Sequence, residues 1–219
     1  MFHVKQFLRD EFSLAGHDFS DLQLQQFQTY CDEILKWNRR VRLTGAKTEK
    51  DLLDHLLISL AYLNHMEPLS SSRVLDLGSG VGFPGIPLKI ARPEIKIDLV
   101  DSVSKKISFL KNIRRKLNLE DTRCFLTRFE DLEKTASLEF PYDLIVSRAV
   151  TDLETIIGAS FDFLRPGGKW IVLKGKSAPL EADSLLKNYS QKISLKSFAI
   201  PDKEWGKDLL FVAIEKCST

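Results

Sequence analysis

With 219 residues, the chain has room for one well-buried core, or one core with a small appendage. Hydrophobic residues at 43% and charged residues at 28% give the balance of a globular protein and exclude a disordered or fibrous one. The net charge of +2 permits an anionic partner without demanding one, so a nucleic-acid surface needs its cations gathered locally. Cys31, Cys124 and Cys217 are odd in number and far apart, which argues against a disulfide framework and offers no zinc-site spacing. Lys5, Arg9, Asp10 and Glu11 interrupt the apolar residues before Phe12, so no signal-peptide core is read there, and no apolar run reaches membrane-spanning length. The expectation is a cytoplasmic, monomeric protein with no metal and no membrane contact.

The first elements read as helices. Ser20 followed by Gln23 has the form of a capping box, and Leu24, Phe27, Tyr30, Cys31, Ile34 and Leu35 recur behind it at helical spacing. A second helix is predicted after Thr48, with Leu52, Leu53, Leu56, Leu57, Leu60 and Leu63 on it. Neither can bury its apolar stripe alone, so the two should pack together and on the downstream part of the chain. Pro68 and the serines at 70–72 mark a boundary between an N-terminal helical region, 1–68, and a larger domain, 69–219. From there the pattern alternates. Strands are predicted at 74–77, 95–100, 122–126, 143–147 and 170–173, the last after a Pro166-Gly167-Gly168 turn. Helices are predicted at 86–91, 103–117 and 153–164. This alternation argues for a parallel sheet with helices on both faces, and the β-like runs 193–200 and 209–214 for an antiparallel hairpin at its edge.

The segment Asp76-Leu77-Gly78-Ser79-Gly80-Val81-Gly82-Phe83-Pro84-Gly85 joins the first strand to the first helix of that sheet. Its glycines allow a sharp turn and the close approach of a ligand. Asp101 ends the second strand, where a carboxylate can accept bonds from both ribose hydroxyls. Gly80, Gly82 and Gly85 also fit the dinucleotide fingerprint, so the glycines alone do not choose between NAD and S-adenosylmethionine. Three features favour the latter. Asp76 suits an ammonium better than a pyrophosphate, Pro84 and Pro87 remove amide donors from the helix start, and the terminal hairpin suits a seven-stranded methyltransferase sheet.

The run from Asp76 to Leu88 resembles the signature loop of the bacterial 16S ribosomal RNA guanine-N7 methyltransferases, the glucose-inhibited division protein B family. The similarity continues through Asp101-Ser102, Lys105-Lys106, Phe109-Leu110, Arg128-Phe129-Glu130, Ser147-Arg148-Ala149, the segment 164–168 and Leu173-Lys174-Gly175. It implies an α/β, Rossmann-like class I methyltransferase fold with a seven-stranded, mostly parallel sheet behind a small helical region. It implies S-adenosylmethionine as cofactor, S-adenosylhomocysteine as product, and 16S ribosomal RNA in the small subunit or its precursor as partner. By the same resemblance Asp76, Gly78, Ser79, Gly80, Phe83, Pro84, Asp101 and Ser102 surround the cofactor, Phe129 and Glu130 hold its adenine end, Arg148 faces the reaction centre, and Lys174 serves activity or RNA contact.

Methylation at guanine N7 needs no general base, because N7 carries a lone pair and no proton; alignment is the main requirement. The sequence lacks the loop expected for exocyclic-amine methylation and the Pro-Cys nucleophile of carbon-5 chemistry. Arg148 suits guanine O6, a flanking phosphate or the cofactor carboxylate, since a donor on N7 would occupy the attacking lone pair. Arg39, Arg40, Arg42 and Lys47 form one candidate RNA cluster, and Lys105 and Lys106 open a second on a helix whose exposed face also carries Lys111, Arg114, Arg115 and Lys116. His55 reads as a hydrogen-bonded packing residue more readily than as a catalyst. Two positions depart from the family pattern: Arg42 stands for its usual Asn, and Ile58 for its usual Asp. They keep open a relative of altered specificity or lost RNA activity, while a nicotinamide-dependent oxidoreductase rests on the glycine spacing alone.

Overall fold

The computed structural model describes residues 7, 9, 18–66, 72–128, 131–135, 138–148, 151–199 and 208–217. Ser20 begins α1 (Asp21–Asn38) with reciprocal capping-box bonds: its Oγ accepts the Gln23 amide at 3.3 Å, and its own amide donates to Gln23 Oε1 at 2.9 Å. Thr48 and Asp51 cap α2 (Glu49–Leu60) in the same way, and the chain continues into a 3-10 turn at Ala61–His65.

Beyond the turn come seven strands in one sheet: β1 (Arg73–Leu77), β2 (Lys96–Asp101), β3 (Thr122–Leu126), β4 (Tyr142–Arg148), β5 (Leu164–Lys174), β6 (Ile193–Ala199) and β7 (Leu210–Lys216). Their order is β3-β2-β1-β4-β5-β7-β6. The first five run parallel, and β7 lies antiparallel between β5 and β6, so the terminal hairpin joins the sheet with its second strand inward. Helices α3 (Gly85–Ala91), α4 (Ser104–Lys116), α5 (Leu153–Ser160) and α6 (Ala178–Tyr189) are spaced along the same stretch.

Alternation along the strands divides the core. Val74, Ile97, Leu99, Leu144, Val146, Ile171 and Leu173 face α1 to α4, whereas Leu75, Leu77, Ile145, Trp170 and Val172 face α5 and α6. The apolar stripes of α1 and α2 therefore belong to the same cluster as one face of the sheet. Gln23 strengthens that union by donating to the Ile90 and Ala91 carbonyls at 2.9 and 3.2 Å, at the end of α3.

Three elements differ from the sequence expectation. Helix α6 is absent from that expectation: only Ala178, Ala182 and Leu185 are buried on it, and Leu180 is 77% exposed, so its periodicity is weak. The helix read over 153–164 stops at Ser160, gives a short 3-10 turn, and passes into strand at Leu164. Pro166-Gly167-Gly168 is not a turn ahead of β5 but an irregularity inside it. Tyr142 pairs with Leu164 and Leu144 with Lys169, and Gly167 takes a φ of 69° to absorb the extra residues. Among the described residues, no helix is long and apolar enough to cross a membrane, and no cluster of His, Cys, Asp or Glu is arranged to hold a metal.

Candidate active site

The carboxyl ends of β1, β2 and β4 open into a cavity of about 610 Å³, where an open α/β sheet binds ligands. Gly78, Ser79, Gly80, Val81 and Phe83 form one wall, Asp101, Ser102, Val103 and Lys106 a second, and Thr127 and Arg128 a third. Leu43, Thr44 and His55 reach in from the N-terminal helices, and Arg148 from the end of β4. A roomier cleft of about 940 Å³ lies at the opposite, amino ends of the strands. Its charged walls are largely tied to one another, with Arg123 bonding both oxygens of Asp98 at 2.8 and 2.7 Å.

The glycine loop is braced from behind. Tyr30 on α1 donates to the Val81 carbonyl at 2.8 Å, Ser79 Oγ donates to the Asp76 carbonyl at 3.0 Å, and Gly80 takes a φ of 61°. Asp76 is fully buried and lies behind the loop, not on the cavity wall; its Oδ2 accepts the Gly85 amide at 3.0 Å. A Cβ on Gly85 would sit 2.5 Å from that oxygen, so no other residue fits there. Burial is the main force that pushes the Asp76 carboxyl up to about 7, against the opposing pull of the Gly85 amide. Its Oδ1 has no hydrogen-bond partner. Pro84 is likewise buried off the wall, in a cis peptide with Phe83 at the start of α3.

These bonds decide what α3 can hold. Gly85 N is taken by Asp76, Ile86 N by the Gly82 carbonyl at 2.7 Å and Leu88 N by the Pro84 carbonyl at 3.1 Å, and Pro87 has no amide hydrogen. No donor remains at that helix start for a pyrophosphate.

Asp101 lies at the rim with its carboxylate turned to the loop. Oδ2 accepts Gly80 N at 2.9 Å, Oδ1 accepts Val103 N at 2.8 Å, and Lys106 Nζ stands 3.4 Å from Oδ2. A carboxylate offers about four acceptor positions, so a sugar diol can bond both oxygens once the long Lys106 contact swings aside.

Arg148 is the main cation of the cavity. Its Nη2 donates to His55 Nδ1 at 2.7 Å, and its guanidinium and the His55 ring both lie against Phe83, at 5.8 and 5.3 Å from the ring centre. Burial first, and the Arg148 charge second, pull the His55 imidazole down to about 4, which leaves it neutral and its Nδ1 an acceptor. Arg148 Nη1 is buried without a partner. The strand ends beneath are cross-braced, since Ser147 Oγ donates to the Leu77 carbonyl at 2.9 Å and Tyr62 donates to the Ser147 carbonyl at 2.7 Å.

Lys174 stands outside the cavity. Its Nζ donates to the Thr151 carbonyl at 2.6 Å and pairs with Glu181 of α6 at 2.8 Å. Burial alone would raise the Glu181 carboxyl, but Lys174, Ser177 and the Leu153 amide hold it below its ordinary value. Lys174 thus ties the start of α5 to α6. Lys174→Met is expected to cost about 2–3 kcal/mol of stability, seen as a lower denaturant midpoint. An unchanged midpoint would make the residue a candidate for direct action again.

The two basic clusters meet at the cavity mouth. Lys105 donates to the Arg42 carbonyl at 2.7 Å, which pins the α1–α2 loop to α4. Arg39, Arg40, Arg42 and Lys47 are exposed around this junction, and Lys106 is half-buried against Asp101. Phe129 and Glu130 lie outside the described residues. Sequence reasoning misses two positions. Asn38 holds the loop by accepting the Leu43 and Thr44 amides at 2.8 and 3.1 Å and donating to the Thr44 and Ala46 carbonyls. His55 reads as packing in the sequence, and only the arrival of Arg148 from a residue 93 positions away reveals its contact with the cavity. Ile58 packs in the apolar cluster, 5% exposed.

Strand order, reversed β7 and a glycine-loop cavity at the carboxyl ends together define a Rossmann-like methyltransferase. Solved structures agree on the fold: fibrillarin in its complex with Nop5p superposes with a TM-score of 0.60 at 18% identity, over 73% of this chain and 80% of that one. An S-adenosyl-L-methionine-dependent methyltransferase from Methanococcus maripaludis also reaches 0.60, at 16% identity over 86% and 93% of the two chains. The family model described as rRNA small subunit methyltransferase G matches residues 23–204, and the chain belongs to that family. A ribosomal RNA small subunit methyltransferase G from Alkaliphilus metalliredigens is 35% identical over 78% of this chain and 72% of its own length. One from Streptococcus pneumoniae is 31% identical over 84% and 81%.

Proposed function

We propose that the chain transfers a methyl group from S-adenosylmethionine to N7 of a guanine in 16S ribosomal RNA, within the small subunit or its precursor. The observation that carries the cofactor assignment is the cavity at the carboxyl ends of β1, β2 and β4, where the glycine loop meets the Asp101 carboxylate. The blocked donors at the start of α3 speak against a dinucleotide in the same cavity.

The cofactor, when bound, supplies an electrophilic methyl on a sulfonium. The protein's part is placement. Asp101 takes the ribose hydroxyls, and the backbone of Gly78 to Gly80 lies against the nucleoside without side chains in the way, with Ser102 beside it. Phe129 and Glu130 are assigned to the adenine end on family resemblance alone. Arg148, held by neutral His55, faces guanine O6 or a neighbouring phosphate and leaves the N7 lone pair free. No residue is asked to move a proton, because N7 loses none. The exposed Arg39, Arg40, Arg42 and Lys47 and the adjoining Lys105 meet the RNA backbone.

Incubating the protein with purified small subunits and methyl-labelled S-adenosylmethionine is expected to place label in the 16S RNA. Label in ribosomal protein, or none at all, would reject this reading and favour a relative of altered specificity.

A further inference from the structure

The cations of α4 fall into two sets. Lys106 pairs with Asp101 at 3.4 Å, and Lys116 pairs with Glu33 at 2.7 Å. Lys105, Lys111, Arg114 and Arg115 have no carboxylate partner among the described residues; Lys105 and Arg114 donate to the backbone carbonyls of Arg42 and Thr122. All four are exposed. A helix face shaped only for solubility would be expected to intersperse acids with its cations, yet α4 contains no acidic residue from Ser104 to Lys116.

These cations also border a concavity. Between α4 and β3, the edge strand of the sheet, runs a groove of about 460 Å³ whose walls are Lys111, Arg114, Arg115, Arg123, Cys124 and Phe125. Arg123 and Phe125 alternate to the other face of the sheet, where Phe125 packs against the second core cluster and Arg123 is paired with Asp98 and Glu139, so the free charge of the groove is that of Lys111, Arg114 and Arg115. Exposed cations without carboxylate partners beside a concavity are the ingredients of a contact with a phosphate backbone. The groove lies beside the C-terminal half of α4, whose first turn adjoins the cavity through Lys106. Lys105 stands at the cavity mouth, and the ten residues from there to Arg115 cover about 15 Å of helix.

We propose that the groove between α4 and β3 is a second RNA contact, which takes the sugar-phosphate backbone flanking the nucleotide held in the cavity. The proposal rests on the RNA methyltransferase reading and adds a surface remote from the reacting atoms. The groove raises affinity for the RNA and leaves the chemical step alone.

The test is the double variant Lys111→Glu/Arg115→Glu, with Lys187→Glu/Lys196→Glu on α6 and β6 as a control of equal charge change. The groove variant is expected to raise KM for the small subunit at least about tenfold with kcat and S-adenosylhomocysteine affinity unchanged. It should also flatten the salt dependence of binding by about one to two phosphate contacts. The control stays within about twofold. A groove variant that behaves like the control overturns the proposal. If the wild type methylates no RNA, the functional reading itself has failed, and binding of a 16S RNA fragment by fluorescence anisotropy decides the groove. Binding that only the groove variant weakens upholds it; binding that is absent, or equally strong in both variants, overturns it.

Discussion

Arg148→Ala is expected to lower the rate of methyl transfer at least about 100-fold while weakening S-adenosylhomocysteine binding by no more than about tenfold. The asymmetry arises from where the side chain stands. Its Nη2 is fixed by His55 at 2.7 Å and its ring-facing surface by Phe83, so the guanidinium reaches the cavity as a rigid group. The cofactor is also held by the glycine loop and by Asp101, neither of which bonds Arg148. Alignment of the guanine has no such reserve. Single-turnover transfer to small subunits, beside calorimetric titration of the product, separates the two effects. Transfer at the wild-type rate would remove Arg148 from the reaction centre, and a loss confined to cofactor affinity would make it a carboxylate ligand only.

Asp101→Ala is expected to weaken S-adenosylhomocysteine binding about 100-fold, close to 3 kcal/mol. Two losses combine. The ribose hydroxyls lose a charged acceptor, and the Gly80 and Val103 amides, bonded to its two oxygens at 2.9 and 2.8 Å, are left without theirs. The second loss slackens the loop that has to be preformed for the ligand. Calorimetry reads the affinity, and a thermal melt without ligand reads the loop. Affinity within about twofold of wild type would mean that the ribose is held elsewhere.

Much of this arrangement is legible in the sequence because it depends on local chemistry. Ser20 with Gln23 and Thr48 with Asp51 start helices through bonds made within three residues, and β1 to β4 are short apolar runs bounded by turns. The glycine loop shows its purpose for a related reason, since the approach of Gly85 to Asp76 leaves no room for a side chain. What stays hidden depends on partners distant in the chain. Glu181 lies on a helix whose narrow buried stripe gives little periodic signal, so the ion pair that draws Lys174 away from the cavity is not visible there. His55 is ordinary on its helix until the sheet brings Arg148 to it, and Asn38 acts on a loop that begins after its own helix has ended.

The departures at Arg42 and Ile58 have physical settings. Arg42 is exposed and contributes its carbonyl to Lys105, so the change from an amide adds charge at the cavity mouth without breaking the loop. Ile58 sits among leucines in the core, where an aliphatic side chain needs no compensating partner. Neither alters the walls that would seat the cofactor.

Under the proposed function, the guanine ring nitrogen N7 accepts the methyl group. The most direct measurement is nuclease digestion of 16S RNA after reaction with small subunits, with mass spectrometry of the released nucleosides. The expected result is 7-methylguanosine, formed in proportion to the label transferred and absent from the Arg148→Ala reaction. Label recovered in any other nucleoside, or no methylated nucleoside at all, would contradict it.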